Sequence, residues 1–120
     1  MKAITHELSL RYLLELSTDI RLALLVDEEG RLVAAAPEPP GDRLARLGGE
    51  LAARARGIGA EQGQQEVEVD VTVEGGAAFV VTEGGHALVC VTGPFALPGL
   101  IIHDMRIALD DLRRSEAAAP

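Results

Sequence analysis

The fold is decided by residues 67–92, which read VEVDVTVEGGAAFVVTEGGHALVCVT. Valine alternates with polar residues over Val67–Val73, which predicts a strand with one buried face at the edge of a sheet. Residues 77–82 and 87–92 are apolar on both faces, which is typical of central strands covered on both sides. Two Gly-Gly pairs separate the three strands by tight turns, so we expect antiparallel pairing.

A second hairpin precedes this segment. Ile20–Val26 is a near-continuous apolar run, residues 27–30 read DEEG, and Leu32–Ala36 is again apolar. Acidic residues followed by glycine are typical of a tight turn, because glycine tolerates a positive φ angle. The sequence therefore predicts two further strands, and a sheet of five.

Three helices surround the predicted strands. Residues 4–17 place Leu8, Tyr12 and Leu16 on one stripe, and further leucines widen the apolar arc until it needs cover from two sides. Asp42 is a suitable N-cap for a helix over residues 43–58, and Pro98 suits the first turn of the last helix. The order αββαβββα predicts an α/β (α+β) three-layer sandwich, with a five-stranded antiparallel sheet between helices.

The second helix carries two different stripes. One holds its large apolar residues, which we expect to pack on the sheet: Leu44, Leu47, Leu51, Ala55 and Ile58. The other holds Ala45, Gly49 and Ala53 at four-residue spacing. Small residues at this spacing let another helix approach closely, so this stripe predicts contact with a second copy of the chain.

The Val67–Val73 strand suggests the same homodimer, because an alternating edge strand without proline leaves backbone groups open to pairing. Arginines of the second helix could face acidic residues of this strand, although such charges are also common on solvated surfaces. The predicted dimer interface comprises Ala45, Arg46, Gly49, Ala53, Arg56, Glu68, Asp70 and Thr72.

Composition limits the possible partners. The chain has 120 residues and a net charge of −8, with three aromatic residues, Tyr12, Phe79 and Phe95. This length predicts one domain over residues 1–115 with a disordered tail at 116–120. The acidic charge argues against nucleic acid as a partner, and no apolar run is long enough for insertion into a membrane. A single cysteine, Cys90, together with a polar N-terminus, favours a cytoplasmic location.

No arrangement of residues predicts a cofactor, a metal or a catalytic centre. A phosphate-binding loop with lysine is missing, His6, His86, His103 and Cys90 lack the spacing of metal ligands, and no serine lies in a nucleophile elbow. We therefore expect a protein that is not an enzyme. Cys90 is better interpreted as a small buried apolar residue.

Four apolar residues of the first and last helices are candidates for partner binding. Leu100 and Ile107 lie off the buried face of the last helix, and Leu10 and Leu14 belong to the wide arc of the first. A contiguous exposed patch would mark a partner site. The alternative is that the two helices pack on each other and bury these residues.

Two stretches of this sequence resemble the Roadblock (dynein light-chain) domain family. ALLVDEEGRLVA, residues 23–34, is similar to the family's first hairpin, and PGLIIHDMR, residues 98–106, is similar to the entry of its last helix. The resemblance covers about residues 4–114. It implies a profilin-like fold and a homodimer that pairs through the second helix and the adjacent edge strand.

The resemblance also implies a function. Members of the family are non-enzymatic platforms for small Ras-like GTPases in bacterial polarity systems and lysosomal signalling complexes, or are dynein light chains. Some bacterial homodimers stimulate GTP hydrolysis by reshaping the switch regions, without supplying an arginine finger. This chain departs from the pattern in its Gly48-Gly49 pair and in Glu68 and Asp70 on its edge strand, so the residues leave the partner open.

The alternative function is a small-molecule sensor or a scaffold module of the profilin-like class without a GTPase partner. A sensor would need an internal pocket with converging polar groups. The residues available for such a pocket are mostly Ala, Val and Leu.

Overall fold

The computed structural model describes residues 2–118. The elements follow the predicted order, αββαβββα. They are α1 (Lys2–Leu16), β1 (Ile20–Val26), β2 (Leu32–Ala36), α2 (Asp42–Glu61), β3 (Val67–Val73), β4 (Gly76–Glu83), β5 (His86–Thr92) and α3 (Pro98–Ala118).

The five strands form one antiparallel sheet in the order β2-β1-β5-β4-β3. β3 is therefore an edge strand, as predicted from its alternation, and β1, β4 and β5 are central. Helices α1 and α3 pack together on one face of the sheet, and α2 lies on the other. The predicted three-layer sandwich is confirmed.

The larger core lies between the sheet and the pair α1–α3. Phe79 and Cys90 face each other in the β4–β5 ladder and are buried there with Leu10, Leu13 and Met105. Burial raises the pKa of the Cys90 thiol, because the charged thiolate would lose its hydration. Cys90 is thus the small buried residue predicted from the sequence.

The opposite face of the sheet carries three rows of residues that run across the strands. Val26, Ala87, Thr82 and Val67 form the first row, and Ala35, Leu24, Val89, Val80 and Val69 form the second. The third row consists of Leu22, Val91, Ala78 and Val71. The first row is buried and the middle of the second is buried beneath α2, whereas Val71 in the third is 39% exposed and Leu22 and Val91 are half-buried.

Only small residues of α2 are buried against this face: Gly48, Gly49, Ala52, Ala55 and Gly59. The Cα of Gly49 faces the backbone of Gly30 in the β1–β2 turn, and a Cβ at this position would overlap the Gly30 carbonyl oxygen. Gly49 is therefore part of the contact between α2 and its own sheet. This corrects the prediction that Gly49 is open to a second helix.

The last helix is longer than predicted. α3 continues to Ala118, so residues 116–118 of the expected tail are helical, and residues 119–120 lie outside the described part. The Oε1 atom of Glu116 lies 2.9 Å from Nε2 of His6 and 3.3 Å from Nε2 of His86. These contacts connect the end of α3 to the start of α1 and to β5.

The Gly49 contact leads to a prediction about stability. Gly49→Ala places a methyl group against the Gly30 carbonyl, so we expect a loss of about 1–3 kcal/mol in the free energy of unfolding. Gly57→Ala on the same helix is the matched control, because a Cβ there meets nothing within 4 Å. This control should stabilise the protein by up to about 1 kcal/mol through helix propensity. Urea unfolding of both variants measures the difference, and equal effects would contradict the role given to Gly49.

Candidate functional site: two apolar surfaces

The first apolar surface combines one flank of α2 with the third row of the sheet. Leu44, Leu47 and Ile58 are 46%, 43% and 44% exposed, although sequence periodicity predicts that they are buried. Gly49 contacts the β1–β2 turn on the other flank of the helix, so these residues lie on the side nearer the third row. We call this the α2–β3 surface; it comprises Leu22, Leu44, Leu47, Leu51, Ile58, Val69, Val71 and Val91.

The spacing along this flank is that of a helix that packs against another helix. Leu44, Leu51 and Ile58 follow at intervals of seven residues, and Leu47 lies between the first two. A seven-residue apolar repeat keeps one side of a helix facing a partner helix over several turns. Leu51 packs partly on the second row, and the other three remain exposed.

The backbone of β3 borders the same surface. β3 is bonded to β4 along Val67–Val73 and has no neighbouring strand on its other side within the described residues. Its unpaired N–H and C=O groups are available to another strand. An apolar helix flank and an open strand edge thus lie side by side.

Five predicted interface residues lie on α2 near the β1–β2 turn, away from the leucines of the α2–β3 surface. Arg46 and Ala53 are exposed, Ala45 is half-buried, and Gly49 is buried as described above. Arg56 donates a 3.1 Å hydrogen bond from Nη1 to the backbone oxygen of Asp27 in the turn. Arg56 therefore fastens α2 to its own sheet in the described structure.

The other three predicted interface residues belong to β3 and point to the face covered by α1 and α3. Glu68 lies in the same row as Val81, and Asp70 lies in the same row as Phe79, both of which are in the larger core. Arg106 of α3 forms an ion pair with Glu68 and lies 3.7 Å from Glu66. The sheet separates these acidic residues, and Thr72, from the arginines of α2, so the predicted charge pairing is not made within the chain.

The four candidates for partner binding are divided by the structure. Leu10 is fully buried and Leu14 packs partly on the same core, so Leu10 is unavailable to a partner; the helices have used these residues for their own packing. Leu100 is 58% and Ile107 is 42% exposed.

Sequence reasoning missed the exposed side of α1. Leu8, Tyr12 and Leu16 are 61%, 57% and 55% exposed, and they line a groove of about 270 Å³ between α1 and α3 together with Ile107. Their four-residue spacing was the available signal, but an apolar stripe on a helix usually indicates its buried side. This groove is the second apolar surface.

The described residues form neither a metal-binding cluster nor a membrane-spanning helix. No group of three or more His, Cys, Asp or Glu side chains in residues 2–118 is arranged to hold a metal ion. In the same range, no helix is both long enough and apolar enough to cross a bilayer.

Glu83 is a carboxyl group whose surroundings change its titration. It is buried at the end of β4, and Nη1 of Arg113 lies 2.7 Å from its Oε1 atom. Burial, and next the neighbouring Asp110 carboxyl group, raise the pKa of Glu83, while Arg113 partly opposes them. Burial and Asp110 together outweigh the single cation.

Solved structures of other proteins share this architecture. MglB from Myxococcus xanthus is 18% identical, with a TM-score of 0.79 over 98% of this chain and 92% of its own. A gliding protein MglB from Thermus thermophilus is 28% identical, with a TM-score of 0.73 over 98% and 90%. A Roadblock/LC7 domain from Streptomyces avermitilis is 19% identical, with a TM-score of 0.77 over 93% and 98%.

No protein-family model and no curated protein sequence matches the chain. Profilin IA from Acanthamoeba castellanii shares the fold at 13% identity, with a TM-score of 0.60 over 91% of this chain and 98% of its own. The element order, the sheet topology and these likenesses define the class by its fold, which is profilin-like. Within that class, the chain is similar to MglB and Roadblock/LC7 domain structures, at 18–28% identity.

Glu83 leads to a prediction about pH dependence. Because its pKa is raised from the ordinary 4.5, the folded protein keeps a proton that the unfolded chain has already released. The stability of the wild type relative to Glu83→Gln should therefore fall as the pH rises from about 4.5 towards neutrality. Urea unfolding at several pH values measures this difference, with Glu74→Gln at an exposed turn as the control. A difference that grows in favour of the wild type with rising pH would contradict the prediction.

Proposed function

We propose that this protein is a homodimeric, non-enzymatic platform that binds a small Ras-like GTPase and regulates it. The observation that carries the proposal is the α2–β3 surface, where an apolar helix flank and an open strand edge lie together on a domain whose fold is similar to that of Roadblock proteins. Both features need a partner, and a second copy of the chain supplies matching features for each.

The proposed dimer follows from two-fold symmetry. Antiparallel pairing of β3 with its counterpart extends the sheet across both chains and satisfies the open edge of each. The same symmetry brings the partner's α2 alongside α2, so that the leucine flanks meet over the third rows of the sheet. Leu44, Leu47 and Ile58 would then be buried as apolar ridges in a helix–helix contact.

The proposed contact uses different residues from the contact that was predicted from the sequence. The alanine–glycine stripe is replaced by the leucine stripe, because Gly49 is already in contact with Gly30. Glu68 and Asp70 remain near the proposed seam, since they belong to β3, but they lie on the other face of the sheet. Arg106 accompanies Glu68 there.

The proposal of GTPase regulation is supported by the sequence resemblance to the Roadblock family and by the structural similarity to MglB proteins. The family resemblance implies GTPase partners, and the sequence offers neither a phosphate-binding loop nor a catalytic constellation. Any effect on hydrolysis would then come from positioning the GTPase's own residues. The dimer would act by holding the switch regions in one arrangement.

The dimer is tested by its molar mass in solution. The wild type should have twice the 12.6 kDa mass of one chain, and Leu47→Arg should reduce this to one chain, because a buried seam cannot accommodate an unpaired charge. Light scattering after gel filtration measures both masses. Leu8→Arg, on the opposite layer of the sandwich, is the matched control and should remain dimeric.

Two results would contradict the proposed dimer. A wild type with the mass of a single chain at micromolar concentration would exclude it. A Leu47→Arg protein that keeps the mass of two chains would show that the subunits meet elsewhere.

GTPase binding is tested with a small Ras-like GTPase encoded near this protein in its genome. Calorimetric titration should give affinities for the GDP-bound and GTP-analogue-bound forms that differ at least tenfold, since a regulator must distinguish the two states. The rate of GTP hydrolysis at a saturating concentration of the dimer tests for an arginine finger, because loss of such a residue lowers this rate about 10³- to 10⁵-fold. Arg43→Ala, Arg46→Ala and Arg54→Ala should each change the saturated rate by less than about tenfold.

The proposal fails if neither nucleotide form binds, or if both bind equally. A loss of about a thousandfold in the saturated rate from one of the arginine variants would show that the dimer supplies a catalytic group after all.

A further inference from the structure

The groove between α1 and α3 lies on the opposite side of the sheet from α2. Leu8, Tyr12 and Leu16 form one wall, and Ile107 is the large apolar residue of the other. Leu8 and Leu16 are eight residues apart, which corresponds to about 12 Å along α1. The apolar stripe is therefore about two helical turns long and remains exposed after the helices have packed on each other.

The charged residues that line this groove are both acidic. Asp104 and Asp111 lie in the α3 wall, and no Lys or Arg is among the described residues that line the groove. Three arginines of the same helices are engaged elsewhere, Arg11 with Glu7 and the Pro37 carbonyl, Arg106 with Glu68, and Arg113 with Glu83; Arg114 near the end of α3 is exposed and does not line the groove. An occupant of the groove would meet an apolar floor bordered by carboxylates.

A second copy of this chain does not fit that description. Every copy carries the same aspartates and a net charge of −8, so a symmetric contact would bring carboxylates close to carboxylates. An anionic membrane surface is disfavoured for the same electrostatic reason. A partner with an apolar stripe and positive charges along the side that faces α3 would match the groove in shape and in charge.

We propose that the α1–α3 groove is a docking site for a basic amphipathic helix of another protein. Apolar side chains of that helix at positions i, i+4 and i+7 would pack against Leu8, Tyr12 and Ile107. Lysines or arginines that flank the stripe would reach Asp104 and Asp111. Charges at the rim would speed association and set the orientation, while the apolar contact provides most of the affinity.

This site goes beyond the proposed GTPase platform, and it does not depend on it. The groove is formed by α1 and α3 of one chain, on the layer opposite the α2–β3 surface. A monomer would carry it as well as a dimer. Failure of one proposal therefore leaves the other unaffected.

Tyr12 provides a built-in probe for the test. It is the only tyrosine of the chain, which has no tryptophan, so intrinsic fluorescence reports on the groove alone. The probe ligand is a synthetic 18-residue helical peptide with leucine at i, i+4, i+7 and i+11, lysine on both flanks, and no aromatic residue. A second peptide with every lysine replaced by glutamate is the matched control.

We expect the lysine peptide to change Tyr12 fluorescence saturably, and the glutamate peptide to bind at least tenfold more weakly. Replacing both aspartates with lysine, Asp104→Lys with Asp111→Lys, should reverse this preference. Glu29→Lys with Glu38→Lys makes the same charge change in exposed loops away from the groove and should keep it. Leu8→Ala should lower the affinity for the lysine peptide about tenfold, because packing of the leucine side chain is lost.

Several outcomes would overturn the proposal. These are no saturable binding of the lysine peptide, equal binding of the two peptides, and a preference that survives the double lysine substitution. Asp104→Asn with Asp111→Asn replaces the lysine variant if circular dichroism shows that the latter does not fold, and it should abolish the preference. A lower molar mass of the Leu8→Arg protein would overturn it too, because the groove would then be a contact between copies.

Discussion

The close approach of α2 to the sheet is the constraint that decides which side chains of α2 are buried and which are exposed. Only glycine and alanine are buried between them, and Gly49 lies against the backbone of Gly30. A helix seated this closely has no room beneath it for leucine, so its large side chains turn to the flank. The third row of the sheet is then only partly covered, and an apolar strip of helix and sheet remains exposed.

The fold could be predicted from local patterns, because each of them has few physical solutions. Alternation over Val67–Val73 needs a half-buried strand, and Gly-Gly pairs between apolar runs need tight turns. The helical end of α3 could not be predicted in this way, because residues 116–118 lack an apolar pattern. Glu116 is held there by contacts with His6 and His86, which are distant in sequence. Such contacts leave no periodic signal.

The candidate site was harder to predict, because amphipathicity shows which residues share a side of a helix but not what faces that side. In α2, periodicity assigns the leucine stripe to the core and the small stripe to a partner. The structure instead leaves Leu44, Leu47 and Ile58 exposed and buries Gly49 against the sheet. The Gly48-Gly49 pair was the available clue. Each glycine costs a helix about 1 kcal/mol, so the pair needed a tertiary reason, and that reason is the contact with Leu24 and Gly30 of the chain's own sheet. The same limit applies to α1, where periodicity does not show that Leu10 is buried and Leu8 is exposed.

The two apolar surfaces differ in charge, and this difference indicates different partners. The α2–β3 surface is formed by Leu, Ile and Val, which a two-fold axis can bring together without electrostatic cost. The α1–α3 groove carries Asp104 and Asp111, which the same operation would set against each other. Self-association is thus favoured on one layer and opposed on the other. A dimer formed through α2 would leave two acidic grooves open, so a ligand with two basic helices could bind both at once and gain affinity from the second contact without a new interface.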